Sequence, residues 1–341
     1  MVNVAIVGAS GYSGLELVKI LLNHPETSLS YITGTERVVG SKISDLYPVL
    51  RDVTDLKFIL TDIDQIINSD ADCVFMATPN ETSLEIVPKI ISNTAKKLID
   101  LSGSFRLKYN ILYPIYYGFE NDNENLLQEA VYGVPELYKQ EIRESRLVAN
   151  PGCYPTSVVI PLVPLLRSNI INTQQRIIID SKSGVSGAGR KPSDNTHYVE
   201  TNESLKAYNL HKHRHEPEIA QELSKASGLD VKITFTPHLV PLNRGILSTI
   251  YAEVKPGVSY EDIYNCWIKL YNSEKFVRVM PEGQLPEIKH VVATPYCDIG
   301  FSLRNQELII VSCIDNLLKG ASSQAVQNYN LMFGFKEHLA L

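Results

Sequence analysis

The chain has 341 residues and a net charge of −6 at pH 7; 44% of its residues are hydrophobic and 21% are charged. This length predicts two domains, or one domain with a large insertion, and the composition is that of a globular protein. The acidic balance argues against nucleic acid or an anionic membrane as the principal partner. Neither a signal peptide nor a membrane-spanning run is predicted. The five scattered cysteines, with no C-x-x-C pair, favour a reducing, cytoplasmic setting.

Strands and helices alternate over the first 150 residues. The β-branched residues 2–7 predict a strand that ends at Gly8, and the apolar spacing predicts a helix over about 11–23. Further strands are predicted at LSYIT, DCVFMAT and KKLIDLS, with a helix over about 83–92. This order is typical of an α/β fold with a Rossmann-type, doubly wound parallel sheet.

The pattern changes after Pro151. Longer strands are predicted, with few helices between them, at RIIIDSKSGVSGAGR, VKITFTPHLVP, GILSTIYAEV and HVVATPYCDIGFSL. This part resembles an α+β domain whose sheet is mainly antiparallel. A final helix is predicted from about Gly320. We therefore predict a Rossmann domain of residues 1–149 plus about 317–341, and a second domain of residues 150–316.

The first strand-to-helix turn is rich in glycine. VAIVGASGYSGLEL places Gly8, Gly11 and Gly14 between the predicted strand and helix. Glycines there allow a tight turn and let backbone N–H groups approach a phosphate at the positive end of the helix. The spacing is G-x-x-G-x-x-G and differs from the usual G-x-G-x-x-G. Its position in the chain nevertheless favours dinucleotide binding over a plain glycine-rich turn.

The end of the second predicted strand bears on which dinucleotide binds. It carries Thr33-Gly34-Thr35-Glu36-Arg37. Small hydroxyl residues and Arg37 are able to receive a 2′-phosphate, which favours NADP(H). Glu36 is the counter-argument, because an acidic residue there is able to face the ribose of NAD. We predict NADP(H), with Thr35 and Arg37 among its contacts.

The stretch NPGCYPTS places Cys153 at the mouth of a predicted helix. The positive helix end lowers the pKa of a thiol and favours the thiolate, and Pro155 suits the first helical turn. Asn150 and the backbone amides around the cysteine are able to donate to an oxyanion. A small buried hydrophobe is the commoner fate of cysteine. Together with the glycine loop, however, Cys153 points to a thioester that exchanges hydride with a nicotinamide.

A histidine cluster precedes another predicted helix. LHKHRHEPEIAQEL predicts a helix start near Pro217, so that His215 sits just before the N-terminus. The helix dipole disfavours imidazolium there and helps to keep a general base neutral. We predict His215 as the partner of the cysteine, with His213 and Glu218 orienting it. The alternatives are a solvated basic loop or a metal site, but no Asp or Cys completes a recognisable metal set, and no metal is predicted.

Nearly the whole chain resembles the N-acetyl-gamma-glutamyl-phosphate reductase family. The matching motifs are GASGYSG, NPGCYPT, SGVSGAGRKP, HRHEPEI and DNLLKGASSQAVQN, with DLSGSFRL and YGVPELY matching in type and order. The chain departs from many members at two places near the expected cofactor. It has ATPNETS where they have a Pro-His-Gly stretch, and Thr35-Glu36-Arg37 where they have Ser-Arg.

The resemblance implies an activity and a set of site residues. The Cys153 thiolate would attack the acyl phosphate of N-acetyl-glutamyl 5-phosphate, inorganic phosphate would leave, and NADPH would reduce the thioester to the semialdehyde. Substrate phosphate or carboxylate would be held by Arg106, Arg190 and Lys191. The second domain would be catalytic and would join a homodimer or homotetramer through its sheet. The implied cofactor contacts are Gly8, Ser10, Gly11, Tyr12, Ser13, Gly14, Thr35, Arg37, Ser186, Gly187, Asn316, Lys319 and Gly320.

Four other functions share parts of this pattern. Aspartate-semialdehyde dehydrogenase has the same glycine-loop, cysteine and histidine plan, but HRHEPEI and SGVSGAGRKP count against it. A reductase of carrier-linked aminoadipyl phosphate is similar throughout. A catalytically silent NADP-binding regulator would have no use for Cys153 and the two histidines, and a cysteine hydrolase would leave the nucleotide loop without purpose.

Overall fold

The computed structural model describes the backbone of residues 1–341 and every side chain except that of Asn195. The chain divides into two compact units. The first unit contains residues 1–114, 118–151 and 321–341, and the second contains residues 115–117 and 152–320. Within the part of the chain just defined, no helix combines the length and the apolar character needed to cross a membrane.

The first unit is built on a parallel sheet. Its strands are β1 Val2–Val7, β2 Thr27–Ile32, β3 Cys73–Met76, β4 Lys97–Asp100, β5 Val131–Tyr132 and β6 Leu147–Ala149. Over the described residues they lie in the order β2-β1-β3-β4-β6-β5, and each neighbouring pair is parallel. The central strand β3 is buried throughout, as expected of a sheet covered on both faces. The predicted doubly wound parallel sheet is confirmed.

Helices connect these strands. They are α1 Tyr12–Leu22, α2 Ile43–Leu46, α3 Ile63–Asn68, α4 Asn80–Asn93, α5 Leu112–Tyr116, α6 Glu124–Glu129 and α7 Pro135–Glu144. The helix α1 buries Leu17, Val18 and Leu21, which form the apolar face expected from the sequence. The helix α4 begins three residues before the predicted start, because the polar residues that follow its N-cap, Pro79, already belong to its first turn.

The second unit is built on a mixed sheet. Its strands are β7 Ile177–Gly184, β8 Lys206–Ala207, β9 Ile233–Val240, β10 Ile246–Glu253, β11 Val277–Val279, β12 Cys297–Arg304 and β13 Glu307–Ile314. Their order is β11-β12-β13-β10-β7-β9-β8. The pairs β11–β12 and β7–β9 are parallel, and the other neighbouring pairs are antiparallel. The predicted, mainly antiparallel sheet is confirmed.

Two strand predictions in this unit are wrong at one end. RIIIDSKSGVSGAGR was expected to be extended to Arg190, but β7 ends at Gly184 and a 3-10 turn, Val185–Ala188, follows it. HVVATPYCDIGFSL was expected to be extended from His290, but β12 begins only at Cys297. The preceding residues form a 3-10 turn, Ile288–His290, followed by Ala293 with a positive φ of 61°. Pro295 then interrupts the run, because proline has no N–H to donate to a neighbouring strand.

Helices of the second unit are α8 Cys153–Arg167, α9 Tyr198–Thr201, α10 His215–Ser227 and α11 Tyr260–Tyr271. The helix α8 is buried from Tyr154 to Leu166. It contains Pro164, which removes the usual N–H partner of the Ile160 carbonyl. The Tyr271 hydroxyl of α11 donates to that carbonyl at 2.5 Å and so replaces the hydrogen bond that proline removes.

The chain returns to the first unit at its C-terminal end. A short π-helical turn, Leu318–Ser322, leads into α12, Ser323–Met332, whose side chains are all buried. Within the first unit α12 packs against α7 and α1. The Ser322 hydroxyl donates to the Ser13 carbonyl at 2.8 Å, which ties the start of α12 to the start of α1.

Candidate active site

The glycine loop of the first unit is built so that only glycine fits at two positions. Gly8 follows β1 with a φ of +94°, and a methyl group there would lie 2.4 Å from the Ala77 carbonyl oxygen. A methyl group on Gly14 would lie 2.5 Å from the Gly8 carbonyl oxygen. The absence of both side chains lets α1 begin directly against the loop, with Gly11 as its N-cap. This is the geometry of a phosphate-binding strand–loop–helix.

The remaining predicted nucleotide contacts lie around this loop. Ser10, Gly11, Tyr12 and Ser13 are half-buried, whereas Thr35 and Arg37 are exposed at a 3-10 turn after β2. A residue that the sequence reasoning missed holds the loop from outside: Tyr47 donates its hydroxyl to the Ser10 carbonyl at 2.7 Å. The sequence offered no signal for Tyr47, because nothing in its local pattern marks a loop contact.

Arg106 and Asn150 lie deep within the first unit. The Arg106 side chain donates its Nε to the Asn150 carbonyl and its Nη2 to the Leu101 carbonyl, each at 2.8 Å. The Asn150 side-chain nitrogen donates to the Ala321 carbonyl at 3.1 Å, and its oxygen accepts from Asn328 at 3.1 Å. Both residues therefore join the end of the parallel sheet to neighbouring loops. Their roles toward a phosphate and an oxyanion stay predictions.

The segment ATPNETS, where the chain differs from many members of the family it resembles, stabilises a neighbouring loop. Asn80 accepts the Gly103 N–H on its side-chain oxygen at 2.8 Å, and its carbonyl accepts the Ser104 hydroxyl at 2.7 Å. The same loop is fixed by Asp100, which accepts the Ser102 N–H at 2.9 Å and the Ser102 hydroxyl at 2.6 Å. Burial raises the pKa of Asp100, against the effect of these hydrogen bonds, which lower it. Asn80 thus orders the loop that carries Arg106.

In the second unit Cys153 is the first residue of α8. Its predecessor Gly152 donates its N–H to the Glu218 carboxylate at 2.8 Å, and the Gly152 carbonyl accepts from Thr156 one turn later. Glu218 is fully buried. The start of α8 is therefore held by a carboxylate of α10, and the thiol stands at the positive end of a buried fifteen-residue helix.

His215 lies against the residue that precedes the cysteine. A methyl group on Gly152 would lie 2.4 Å from His215 Nε2, so the imidazole edge occupies the space that any other side chain would fill. His215 is itself the first residue of α10, which begins two residues earlier than predicted. The early start is possible because a proline at the third helical position, here Pro217, loses no intrahelical hydrogen bond.

His213 supports His215 through the backbone. Its Nδ1 accepts the His215 N–H at 3.1 Å, which places the proton of a neutral imidazole on Nε2. The two rings are 4.8 Å apart, and the Phe235 ring lies 5.4 Å from His213. Burial, with the nearby Arg214 cation, lowers the pKa of His213 to about 3. His213 is therefore neutral at physiological pH, and its role in orienting His215 stays a prediction.

This lowered pKa predicts a pH-dependent stability. Histidine in an unfolded chain titrates near pH 6.5, so between about pH 3 and pH 6.5 the unfolded state binds more protons than the folded state. The contribution of His213 is complete above that window, and the free energy of unfolding falls by up to ~1.4 kcal/mol for each pH unit as the pH drops through it. His213→Asn removes this slope.

The measurement is the urea midpoint of unfolding at several pH values between 4 and 7. The exposed His197→Asn variant is the control and keeps the wild-type pH dependence. Equal slopes for wild type and His213→Asn would contradict the neutral, buried state of His213.

Two tyrosines close this side of the site and were missed by the sequence reasoning. The Tyr208 hydroxyl donates to the Tyr154 hydroxyl at 3.3 Å, which donates to the His238 carbonyl at 3.0 Å. Burial raises the pKa of Tyr154 and raises the pKa of Tyr208 to about 12, so both remain protonated. The sequence position of Tyr154, directly after Cys153, could have indicated that it lies in the site. Nothing in the sequence marked Tyr208.

The segment after β13, residues 316–320, packs against the cysteine and is called here the wall behind Cys153. A methyl group on Gly320 would lie 2.7 Å from the Cys153 Cβ. Asn316 donates to the Ser186 hydroxyl at 3.0 Å and accepts the Gly245 N–H at 2.7 Å. Lys319 is fully buried, with its Nζ 5.9 Å from the centre of the Phe276 ring. Gly187, Arg190 and Lys191 are exposed. The cofactor and substrate roles predicted for these residues stay predictions.

Comparisons with known proteins show the family to which the chain belongs. Residues 3–145 match the family described as "Semialdehyde dehydrogenase, NAD binding domain", and residues 153–316 match "Semialdehyde dehydrogenase, dimerisation domain". A protein of Desulforapulum autotrophicum named N-acetyl-gamma-glutamyl-phosphate reductase is 48% identical over 100% of this chain and 98% of its own length. Proteins of the same name from Pelotomaculum thermopropionicum and Campylobacter jejuni are 47% and 45% identical, over 100% and 98% of this chain and 97% and 96% of their own lengths.

The chain belongs to the N-acetyl-gamma-glutamyl-phosphate reductase family.

The fold of this reductase family extends to more distant enzymes. The structure of aspartate semialdehyde dehydrogenase II from Vibrio cholerae, complexed with ASA, has a TM-score of 0.74 at 17% identity and covers 98% of both chains. The Candida albicans aspartate semialdehyde dehydrogenase with NADP has a TM-score of 0.73 at 13% identity, over 98% of this chain and 99% of its own. At these identities the likeness establishes the fold alone.

Membership of the N-acetyl-gamma-glutamyl-phosphate reductase family makes the chain an oxidoreductase with a nicotinamide cofactor. The first unit fits such a cofactor. Gly8 and Gly14 leave no space for side chains under the loop, and α1 starts with a glycine N-cap and carries its first acidic residue only at Glu16, beyond the first turn. The amides of that turn are thus able to receive a pyrophosphate.

Proposed function

We propose that the protein reduces N-acetyl-L-glutamyl 5-phosphate to N-acetyl-L-glutamate 5-semialdehyde and inorganic phosphate, through a thioester on Cys153, as a step of arginine biosynthesis. One observation carries the proposal above the others. Cys153 and His215 each open a helix, and the His215 imidazole fills the space beside Gly152, next to the cysteine. A thiol at a positive helix end with an imidazole beside it is an activated nucleophile.

The first half of the reaction is acyl transfer. His215 takes the proton of the Cys153 thiol, and the sulfur forms a bond to the acyl carbon of the substrate. The bond between that carbon and the phosphate oxygen breaks, and the phosphate leaves with the bonding electrons. Gly152, whose N–H donates to Glu218, fixes the start of α8. The proposed donors to the developing oxyanion are Asn150 and the backbone amides around Cys153.

The second half is reduction. When bound, the reduced nicotinamide supplies a hydride to the thioester carbon. The residues of this chain then manage the products: the carbon–sulfur bond breaks, the aldehyde leaves, and His215 returns the proton to the Cys153 sulfur. His213 stays neutral throughout, because its pKa is held at about 3, and it keeps the His215 backbone in place.

NADP(H) is the proposed cofactor. Thr35 and Arg37 lie exposed at the turn after β2, where a 2′-phosphate of an adenosine ribose would be received. In the same turn Glu36 is exposed, and it would disfavour that phosphate if it faced the ribose. Direct comparison of the dissociation constants for NADPH and NADH decides between them. Arg106, Arg190 and Lys191 are the proposed anchors for the phosphate and carboxylate of the substrate.

The test is the reverse reaction. Purified protein, NADP⁺, inorganic phosphate and N-acetyl-glutamate 5-semialdehyde should yield NADPH only when phosphate is present. Activity with aspartate semialdehyde in place of the N-acetylated substrate would move the protein to the aspartate-semialdehyde reaction. NADP binding without turnover of either aldehyde would overturn the proposal in favour of a carrier-linked substrate or a regulator.

A substitution at Gly152 tests the contact on which the proposal rests. Gly152→Ala places a methyl group 2.4 Å from His215 Nε2, which is too close for contact, so the imidazole is displaced. We expect kcat to fall about 10²-fold, as for a misplacement of about 1 Å at a reacting group. The measurement is steady-state kinetics, with the thermal unfolding midpoint as the control for folding. Unchanged kcat in a folded variant would contradict the placement of His215 beside the nucleophile.

We propose further that a second copy of the chain covers the open face of the mixed sheet. Ile178 of β7 and Tyr251 of β10 are paired neighbours on central strands, and they are 45% and 39% exposed. Their sequence neighbours Ile179 and Ile250 point to the buried face. Apolar side chains on the middle of an uncovered sheet are typical of an interface, and the matched family is described as a dimerisation domain.

Tyr251→Asp should therefore lower the oligomeric mass measured by light scattering. The charge would have to be buried without a partner at the proposed interface, which opposes association. Tyr109→Asp, at a tyrosine of the first unit that is 67% exposed, is the matched control and should leave the mass unchanged. Equal masses for wild type and Tyr251→Asp would place the interface elsewhere.

A further inference from the structure

A buried carboxylate that no motif singled out lies at the end of β13. Asp315 is fully buried, and its Oδ1 accepts the N–H groups of Leu317 at 2.8 Å and Leu318 at 3.0 Å. Its Oδ2 accepts the Ala293 N–H at 2.7 Å. The Arg244 guanidinium donates from Nη2 to Oδ1 at 3.0 Å, and its Nε lies 3.0 Å from Oδ2 in an ion pair. A buried charge that is this fully bonded fixes the groups around it.

The segment that Asp315 holds is the wall behind Cys153. The amides of Leu317 and Leu318 open the π-helical turn, and the Gly320 N–H donates to the Asp315 carbonyl at 2.9 Å. Gly320 then packs on Cys153 so closely that an added methyl group would lie 2.7 Å from its Cβ. The position of the nucleophile is thus set from Asp315 through one short stretch of backbone.

Two turns with left-handed backbone lie near this carboxylate, one bonded to Asp315 and the other to the next residue, Asn316. Ala293 has a φ of +61°, a left-handed conformation that is unfavourable for alanine, and its N–H is held by Asp315. Gly245 has a φ of +105° and no room for a side chain against Ile288. The strain at Ala293 persists only where the surroundings over-determine it, and such strain concentrates at functional sites; at Gly245 the same region is open to glycine without strain.

The chain contains a second buried pair of the same kind, which serves as a comparison. Asp298 is 2% exposed and accepts Arg278 Nε at 2.5 Å and Nη2 at 2.7 Å. This pair joins β12 to β11 at the edge of the sheet. It has the same chemistry as the pair of Asp315 with Arg244, but its bonds lie in the strands and the neighbouring turn, at His290, and not in the wall behind the cysteine.

We propose that Asp315, clamped by Arg244, is a positioning residue for the nucleophile: it sets Gly320 against Cys153 and thereby fixes the direction in which the sulfur points. This inference rests on the proposed function, since it takes Cys153 as the nucleophile. Asp315 touches neither substrate nor cofactor in this role and acts through the backbone of residues 316–320.

The experiment compares Asp315→Asn and Arg244→Lys with Asp298→Asn. Peptide-resolved mass spectrometry gives the rate at which iodoacetamide alkylates Cys153, as a function of pH, and steady-state kinetics give kcat and KM. We expect Asp315→Asn to lower kcat about 10²-fold with little change in KM, as for a misplaced reacting group. It should also slow alkylation and change its pH profile. Asp298→Asn should lower the thermal midpoint but leave alkylation and kcat unchanged.

Loss of thermal stability alone, with wild-type alkylation and kcat in Asp315→Asn and Arg244→Lys, would overturn the inference. If Asp315→Asn does not fold, the same measurements on Arg244→Lys test the inference, because lysine keeps the positive charge but loses the two-nitrogen contact with Asp315. Alkylation needs no substrate. Absence of reductase activity in the wild type would therefore refute the proposed reaction. Slower alkylation of Cys153 in these variants would still support the positioning role.

Discussion

Replacement of Cys153 by serine is expected to abolish phosphate-dependent reduction of NADP⁺, with kcat/KM lower by on the order of 10⁴-fold or more, as for loss of a nucleophile. Serine keeps the helix start and nearly the same volume, but its hydroxyl does not ionise at neutral pH, and the positive end of α8 has no thiolate to stabilise. Binding of NADPH, measured by fluorescence, should be unaffected.

The matched control is Cys266→Ser. Cys266 is a half-buried cysteine of α11 whose sulfur lies 3.5 Å from the Pro164 carbonyl, and it faces the flank of α8, away from its first residue. This variant should keep full activity. A Cys153→Ser protein that folds, binds NADPH and retains substantial turnover would remove the thioester from the mechanism.

His215→Asn carries the second large effect. Loss of a general acid–base group lowers rates by about 10²–10⁴-fold, and here one imidazole serves both the thiol deprotonation and the release of the aldehyde. The asparagine fits the space against Gly152 but accepts no proton. We expect the loss in kcat, with KM for the semialdehyde nearly unchanged, in steady-state assays of the reverse reaction.

His211→Asn is the control, because His211 is exposed and has a φ of +58°, a conformation that asparagine tolerates. It should behave as the wild type. His213→Asn should lose activity only to the extent that the His215 backbone shifts. A variant series in which His213→Asn is dead and His215→Asn is active would reverse the two assignments.

Much of the fold could be predicted because its signals are local. The β-branched residues of β1, the apolar stripe of α1 and the glycine turn between them lie within the first 22 residues, and each follows from short-range sterics and burial. The long strands β7, β9 and β10 show strict inside–outside alternation or nearly so, which the sequence displays openly. The start of β12 was misplaced because a turn with a left-handed alanine leaves no such pattern.

The helices that begin at Cys153 and His215 show how accurately a proline locates the first residue of a helix. Pro155 and Pro217 are each the third residue of a helix, and Cys153 and His215 are each the first. Every N–H in the first turn lacks an intrahelical partner, so proline at any of these positions costs no helix hydrogen bond and does not mark the first residue. The prediction was therefore close for α8 and two residues late for α10.

Contacts between distant parts of the chain were not predictable. The packing of His215 on Gly152, of Gly320 on Cys153 and of Arg244 on Asp315 depends on how helices and turns of the second unit meet in space. The spacing of residues along the chain carries no information about these distances. The chemistry of the motif residues could be predicted from the sequence, whereas the contacts that position their side chains could not.

Two residues packed around Cys153 and His215, Gly152 and Gly320, leave no space for a side chain of their own. Larger residues at either position would push on the imidazole or on the cysteine itself. Directed evolution toward bulkier or shorter acyl groups is therefore closed at these two positions. Any broadening of the substrate range has to come from residues whose side chains do not also hold the nucleophile in place.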